Sequence, residues 1–438
     1  MKNLIKKPHL LKQRRPPSLS YLKALLATVS ILYGLTAHAG DYRNSSHGNN
    51  VSRARTADKG YATGNCAHCH EQHASIERST ATPNPALTFA TEEALCSTCH
   101  QTIQTAINKP YSHPIDNLIY EDLHTIGKME AGQNGAPFSG NNRHVECADC
   151  HEPHTAQADS HVHEPGTIHG NEVSGVLKGT WGVEPSSYPV SWAPPTNFTE
   201  LKPATKEYQI CFKCHSYYAL QDSDGITGIT PGPSGATVTD QSMEFNPNNA
   251  SFHPVVQALG SNALSDPERI AAPWQNIGDQ TMYCSDCHGD DTGYATAGPH
   301  GSNNRYMLKG EGASAVSWPT KADGVTLWRL SDATSSEASQ IYCNLCHELD
   351  ASGGTWRTWG SWGSNGVHAE SRHAGYYCVN CHVAVPHGWK RKRFIAFSGD
   401  DPPYNYNGNY AKITRYTWKA DARYSSSDCS ATCSGRHY

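Results

Sequence analysis

Cysteine and histidine carry the chemistry available to this chain, whose 438 residues hold 16 Cys and 25 His. Fourteen of the Cys fall in seven copies of one pattern: two residues between the Cys, and a His directly after the second. The pairs and their His are Cys66/Cys69-His70, Cys96/Cys99-His100, Cys147/Cys150-His151, Cys211/Cys214-His215, Cys284/Cys287-His288, Cys343/Cys346-His347 and Cys378/Cys381-His382. A zinc ribbon also uses paired Cys but needs no His after every pair. A redox dithiol comes once, near a βαβ pattern. Repeated C-x-x-C-H fits covalent haem. Each thiol adds across one vinyl group, the two-residue gap spans one edge of the ring, and the following His is held under the iron as proximal ligand. The expected cofactors are seven haem c.

The sixth position on each iron separates a carrier from an enzyme. A haem with two protein ligands moves electrons, whereas one with an open face binds a substrate. Without His9, His38 and the seven proximal His, 16 of the 25 His remain, against only Met129, Met243, Met282 and Met307 downstream of Met1. That supply predicts bis-His ligation throughout, and an electron-transfer protein with no catalytic residue rather than an enzyme. His73 and His154 each lie three residues after a proximal His. Neighbours that close cannot straddle one ring, so each is expected to serve a different haem. His113 and His253 precede Pro, which stiffens their segments. His300 and His387 sit in Pro-His-Gly, where the Gly is expected to let backbone approach the flat macrocycle. His144 and His373 stand just before haem motifs and complete the set of distal candidates. His124, His163, His169 and His368 are held in reserve, as exposed or propionate-bonded residues. His68 is expected to be exposed, and His47, His161 and His437 have no clear context.

Export agrees with covalent haem. Residues 1–39 read as a signal peptide: Lys2, Lys6, Lys7, Lys12, Arg14, Arg15 and Lys23 precede any acid, Leu22–Leu35 is mostly apolar, and Ala37-His38-Ala39 is a small-x-small cleavage site. The apolar run is short for a membrane span, and no later stretch is long enough, so the mature chain is expected to be soluble and secreted. Removing 1–39 leaves 28 of the 35 Lys and Arg against 40 Asp and Glu. That acidity disfavours nucleic acid and anionic lipid as partners.

The organisation predicted is a 40–65 N-terminal extension, a 66–393 seven-haem region and a 394–438 haem-free tail rich in Tyr. The fold class expected is mostly coil with short helices and few short strands, its core formed by stacked haems. Gly and Pro number 37 and 26, which argues for loop. Short helices should carry each motif, 170–200 should form a short hairpin around Val173, Val176, Leu177, Trp181 and Val183, and 219–250 reads as a long loop. Lys390-Arg391-Lys392-Arg393 is a candidate propionate-pairing cluster, with a solvated basic stretch as its alternative. Cys429 and Cys433 read as a disulfide, or as a decayed haem or metal site.

The segments CAHCHEQH, ALCSTCH, HVECADCHEPH, SFHPV, GPHGS and CVNCHVAVPHG resemble the doubled C-x-x-C-H modules of multihaem c-type cytochromes. More narrowly, they resemble the extracellular cytochrome nanowires of metal-reducing bacteria. The resemblance implies electron transfer to extracellular acceptors and redox partner proteins, at the outer surface. It also implies that His73 ligates a haem of the next subunit in a homopolymer. The chain departs from that family in its haem number, its N-terminal extension and its Cys429/Cys433 tail. A discrete periplasmic or surface carrier is the alternative, and an oxyanion reductase a third reading.

Overall fold

The computed structural model describes residues 42–49, 61–62, 64–70, 87–89, 91–115, 145–158, 161, 168–220, 230–231, 237–262, 270–276, 278–291, 298–310, 316–347 and 374–414. Residues 1–39, His73, His124, His144, His163, His368, His373, Cys429, Cys433 and His437 lie outside them.

Coil dominates, punctuated by single turns of helix and two-stranded ladders. The helices are α1 (Glu92–Ser97), α2 (Gln101–Ile107), α3 (Cys147–Cys150), α4 (Glu207–Cys211), α5 (Tyr217–Leu220), α6 (Gln241–Glu244) and α7 (Cys284–Cys287). The strands pair antiparallel: β1 (Tyr111–Ser112) with β7 (Gly301–Ser302), β2 (Gly182–Pro185) with β3 (Phe198–Leu201), β4 (Thr230–Pro231) with β5 (Thr237–Val238), and β6 (Ser251–Phe252) with β8 (Gly388–Trp389). The β2–β3 hairpin falls in the segment expected to form one, running one residue past it to Leu201. Val173 and Val176 precede it in coil and a 3-10 turn.

Three apolar clusters hold the described residues together. One centres on Trp318, Leu327, Trp328 and Ile341. A second centres on Trp181, Tyr208, Phe212, Phe245 and Trp274. The third joins Val383, Trp389, Ala396, Tyr404 and Ala411. Aromatic rings supply much of this burial, so few aliphatic residues suffice. Attachment cysteines pack against the first two clusters, among them Cys343 and Cys378 in the first and Cys284, Cys287 and Cys346 in the second. Tyr404 draws part of the Tyr-rich tail into the third.

The long loop expected over 219–250 is corrected at its C-terminal end. Asp240 caps α6, its Oδ1 accepting from the backbone N–H of Ser242 and Met243, and Ser242, Met243 and Glu244 are buried. A single Asp N-cap outweighs the polar composition of the surrounding segment. The basic run is corrected in part as well. Arg391 binds Asp400 through both guanidinium nitrogens at 2.6 and 2.8 Å, and Lys390 reaches the same carboxylate at 3.1 Å. Two of the four cations therefore share one carboxylate within the protein.

Candidate haem-binding sites

All seven motifs close the same way. The backbone N–H of the His donates to the carbonyl of the first Cys at 2.8–3.0 Å, in His70, His100, His151, His215, His288, His347 and His382 alike. One helical turn thus brings both thiols and the imidazole to one side of the backbone. Four of these His also form an isolated backbone bridge to an aliphatic residue: His70 to Leu87, His288 to Leu308, His347 to Ile270 and His382 to Ile395. At the third, fifth and seventh motifs the residue before the second Cys is Asp149, Asp286 or Asn380. Its side chain accepts from the N–H that opens the turn at 2.9, 2.7 and 2.9 Å.

The expectation that a short helix carries each motif is corrected at the second cysteine. Only α3 and α7 enclose both Cys of a motif, Cys147 with Cys150 and Cys284 with Cys287. Elsewhere the helical turn ends first, and Cys69, Cys99, Cys214, Cys346 and Cys381 stand just beyond it. Their N–H groups reach back to the carbonyls of Cys66, Cys96, Cys211, Cys343 and Cys378 at 3.1–3.3 Å, the tighter winding of a 3-10 turn. In every case the turn has ended by the proximal His, whose backbone is extended where His70, His288, His347 and His382 form their bridges. The surroundings of these thiols also differ. The Cys69 carbonyl accepts from the Thr88 N–H, and the Cys346 carbonyl from the Ala271 N–H, each at 2.9 Å. Cys99, like Cys66, is exposed, and the Thr98 hydroxyl lies 3.8 Å from its Sγ. The first two sites are therefore the more open ones, whereas Cys346 is anchored against the second apolar cluster.

Among the described residues, six proximal rings face a second imidazole at nearly one separation. The pairs are His70–His154 at 6.0 Å, His100–His47 at 6.1 Å, His151–His300 at 6.0 Å, His215–His113 at 6.2 Å, His288–His387 at 5.9 Å and His347–His253 at 6.2 Å. Two imidazole–metal bonds of about 2.0 Å in line, plus about 1.1 Å from each nitrogen to its ring centre, give about 6.2 Å. The spacing is that of two rings sharing one metal, and too long for direct packing. The other ring nitrogen is already used. Nδ1 donates to a backbone carbonyl in His47 (Pro153, 2.8 Å), His113 (Pro299, 2.5 Å), His151 (Val176, 2.9 Å), His253 (Pro386, 2.6 Å), His288 (Tyr306, 2.8 Å) and His382 (Arg393, 3.1 Å). A carbonyl only accepts, so Nδ1 carries the proton and Nε2 keeps its lone pair, as a metal ligand requires. Burial also pushes the pKa of His288 and His300 down to about 4 and that of His347 to about 3, which keeps these rings neutral. The donor set fits a haem iron at each pair.

The pairing follows a rule across the chain. His154, His300 and His387 follow the third, fifth and seventh motifs, and each faces the proximal His two motifs earlier. His113 and His253 follow the second and fourth motifs, and each faces the proximal His two motifs later. His154 therefore faces the first site and not its own. His47, which had no sequence context, takes the place opposite His100. It is carried on a turn where the Ser46 N–H donates to Ala156 at 2.8 Å. Among the other described His, His169 packs against Trp274 at 5.8 Å. His161 stacks on Tyr283 at 3.8 Å and meets Asp286 at 3.2 Å, and partly buried His68 packs edge-on to Tyr61.

The His-Pro and Pro-His-Gly contexts prove to be two halves of a duplicated clamp. In the first copy β1 leads into His113 and pairs with β7, which follows His300. In the second β6 leads into His253 and pairs with β8, which follows His387. A side chain on Gly301 would collide with the carbonyl of Ala106, and one on Gly388 with the carbonyl of Glu244. Each of these glycines accommodates the last turn of a helix, α2 or α6. Downstream, Tyr306 and Met307 in one copy and Arg393 and Phe394 in the other adopt left-handed backbone at φ 51–63°. Those turns aim the carbonyls of Tyr306 and Arg393 at His288 and His382.

Neighbouring attachment sites touch. Cys147 lies beside Cys96, and Cys211 beside Cys284. Cys150 and Cys211, Cys287 and Cys343, and Cys343 and Cys378 are electrostatic neighbours. Sites two to seven therefore follow one another in space in sequence order. Carboxylates unforeseen from the sequence brace two of the junctions. Glu92 accepts from the Ala148 N–H at 2.6 Å, and Glu207 accepts from both the N–H and Oγ–H of Ser285 at 2.8 Å. Each Glu stands four residues before the first Cys of its motif. Burial raises the Glu92 carboxyl to about 7 and raises Glu207 as well. Buried Lys213 donates to the Asp149 carbonyl at 2.5 Å across the third and fourth sites.

Residues 59–105 match the doubled CXXCH motif family. Over 131 residues the chain is 25% identical to the multiheme cytochrome MtrA of Shewanella baltica (strain OS185), covering 30% of this chain and 27% of that protein's length. No solved structure matches the chain. The two matches support a multihaem c-type cytochrome with covalently bound c-type haem, a family relationship that suggests electron transfer. No helix among the described residues is long and apolar enough to cross a membrane.

Proposed function

We propose that this chain is a secreted electron-transfer protein carrying seven c-type haems, each bound through two thioethers and held between two His. The observation that carries the reading is the set of six imidazole pairs at 5.9–6.2 Å. When bound, haem supplies a one-electron couple at each pair. The chain's own part is positional. The helical turn of each motif fixes the proximal ring. The clamps hold His113 against His300 and His253 against His387, so ligands of adjacent sites move as one body. Carbonyl acceptors on Nδ1 keep the rings from turning, which lowers the reorganisation that accompanies each electron. Contact between successive attachment cysteines supports hopping along the sequence order of the sites.

Polymerisation at the cell surface is the finer reading, and one feature favours it. Residues 66–73 (CAHCHEQH) nearly copy residues 147–154 (CADCHEPH), and His154 faces a site two motifs back. No C-x-x-C-H precedes Cys66 within residues 1–65, and a second copy of the chain would supply the site for His73. Electron microscopy of protein sheared from cells, with haem absorbance followed, tests this. Haem-bearing filaments that vanish in His73→Ala support the homopolymer, and discrete particles leave a single-chain carrier. High-spin ferric signals with cyanide or nitrite binding would instead favour a reductase.

A further inference from the structure

The duplicated clamp differs between its copies at one buried charge. In the second copy the helix end that meets Gly388 is Glu244, which is fully buried. Its Oε2 accepts from Nδ1 of His387 at 2.6 Å and its Oε1 from the Tyr404 hydroxyl at 2.7 Å. In the first copy the residue meeting Gly301 is Ala106. There Nδ1 of His300 is buried without a hydrogen-bond partner among the described residues. Nδ1 of His47, His113, His151, His253 and His288 meets a neutral carbonyl, whereas that of His154 meets Glu152 at 2.8 Å. Its partner Glu152 lies at the surface, the His side chain being 57% exposed, where water screens the charge. Among the described residues no Lys or Arg forms an ion pair with Glu244, whose ion-pair partner is His387.

We propose that Glu244 is a positioning residue that holds the reduction potential of the site formed by His288 and His387 below that of its duplicate at His151 and His300. The inference rests on reading His288 and His387 as ligands of one iron. A carboxylate drawing on Nδ1–H makes the imidazole a stronger electron donor, which favours the oxidised metal. Its buried negative charge also opposes the arrival of an electron. Reduction adds one electron from the adjacent site and moves no proton. Tyr404 moderates the effect by donating to the same carboxylate. Trp192 and Trp389, whose rings lie 4.9 and 4.8 Å from the Tyr404 ring, hold it in place. An electron passing along the sites in order thus meets a low-potential step in the middle of the chain.

Redox titration of the haem-loaded protein, followed by visible absorbance and by EPR of the ferric form, tests this with two variants. Glu244→Gln keeps an acceptor for His387 and loses the charge, so one titrating component shifts upward. Tyr404→Phe keeps the charge and strips a donor from it, so the same component shifts downward. Opposite shifts establish charge tuning. Shifts in the same direction, or none with the haem complement intact, overturn it. If Glu244→Gln does not fold, the direction of the Tyr404→Phe shift alone decides. His387→Ala guards the underlying reading. If that variant keeps every low-spin signal, His387 is not a ligand, and the failure lies there rather than with Glu244.

Discussion

The imidazoles of His70 and His154 lie 6.0 Å apart and 7° from parallel, although His154 immediately follows another attachment motif. Replacing His154 by Ala should therefore leave the third site intact and open the first. One low-spin ferric signal should become high-spin, and the reduced protein should bind about one CO per chain. His47→Ala should do the same at the second site. EPR and CO difference spectra read both outcomes, and unchanged low-spin intensity in either variant would remove that ligand assignment.

Haem content should follow the motifs one for one. Mass spectrometry of the protein exported with its haem-attachment machinery should show seven haems. Replacing Cys378 and Cys381 by Ser should lower this to six. Because Cys378 neighbours Cys343, the potential of the sixth site should move as well, while the first stays fixed.

Stability should fall with rising pH through a window set in part by Glu92. Burial raises its carboxyl from 4.5 to about 7, so between those values the fold binds a proton that the unfolded chain has released. This stabilising contribution is fully present below pH 4.5 and is lost as pH rises through 7. With partial exposure the loss is about 1–2 kcal/mol. Glu207, raised by the same cause, acts in the same direction. Thermal unfolding from pH 4.5 to 8 should show a shallower decline in Glu92→Gln than in the parent, and equal slopes would refute the assignment.

Gly388→Ala should destabilise the second clamp by about 3 kcal/mol, because the new methyl has no room beside the Glu244 carbonyl and neither backbone can yield cheaply. Gly375→Ala, whose new methyl meets nothing within 4 Å, is the control. Denaturant titration compares them.

The attachment sites were legible because covalent chemistry demands a fixed local spacing. How far each turn would extend was not, since Cys69, Cys99 and Cys346 carry the same spacing as Cys150 and Cys287 yet lie past the end of their helices. The contexts around His113, His253, His300 and His387 were visible for a related reason, since Pro and Gly mark places where backbone must be stiff or bare, and His154 was visible from its spacing after His151. Which ring each would face was not visible, because facing is decided by ladders such as Ser251 with Trp389, far apart in sequence. His47 left no local trace: its place depends on the carbonyls of Pro153 and Ala156. Glu244 was hidden in a segment whose composition reads as loop. Only the Asp240 cap, a single side chain, turns that segment into a helix end.

The rule by which His154, His300 and His387 serve sites two motifs upstream bears on how the chain is made. Synthesis runs from the N-terminus, so His70 is complete long before the residue that faces it exists. During that interval rings from elsewhere in the chain can take the open position, and mispairing there is a kinetic trap of the kind that slows chains rich in non-local contacts. The last such closure, His387 onto His288, brings in Trp389 and Tyr404 together, so completion of the fifth site and burial of the third apolar cluster become a single late event. An exported chain truncated before His387 would carry its earlier attachments yet leave the middle of its relay unfinished.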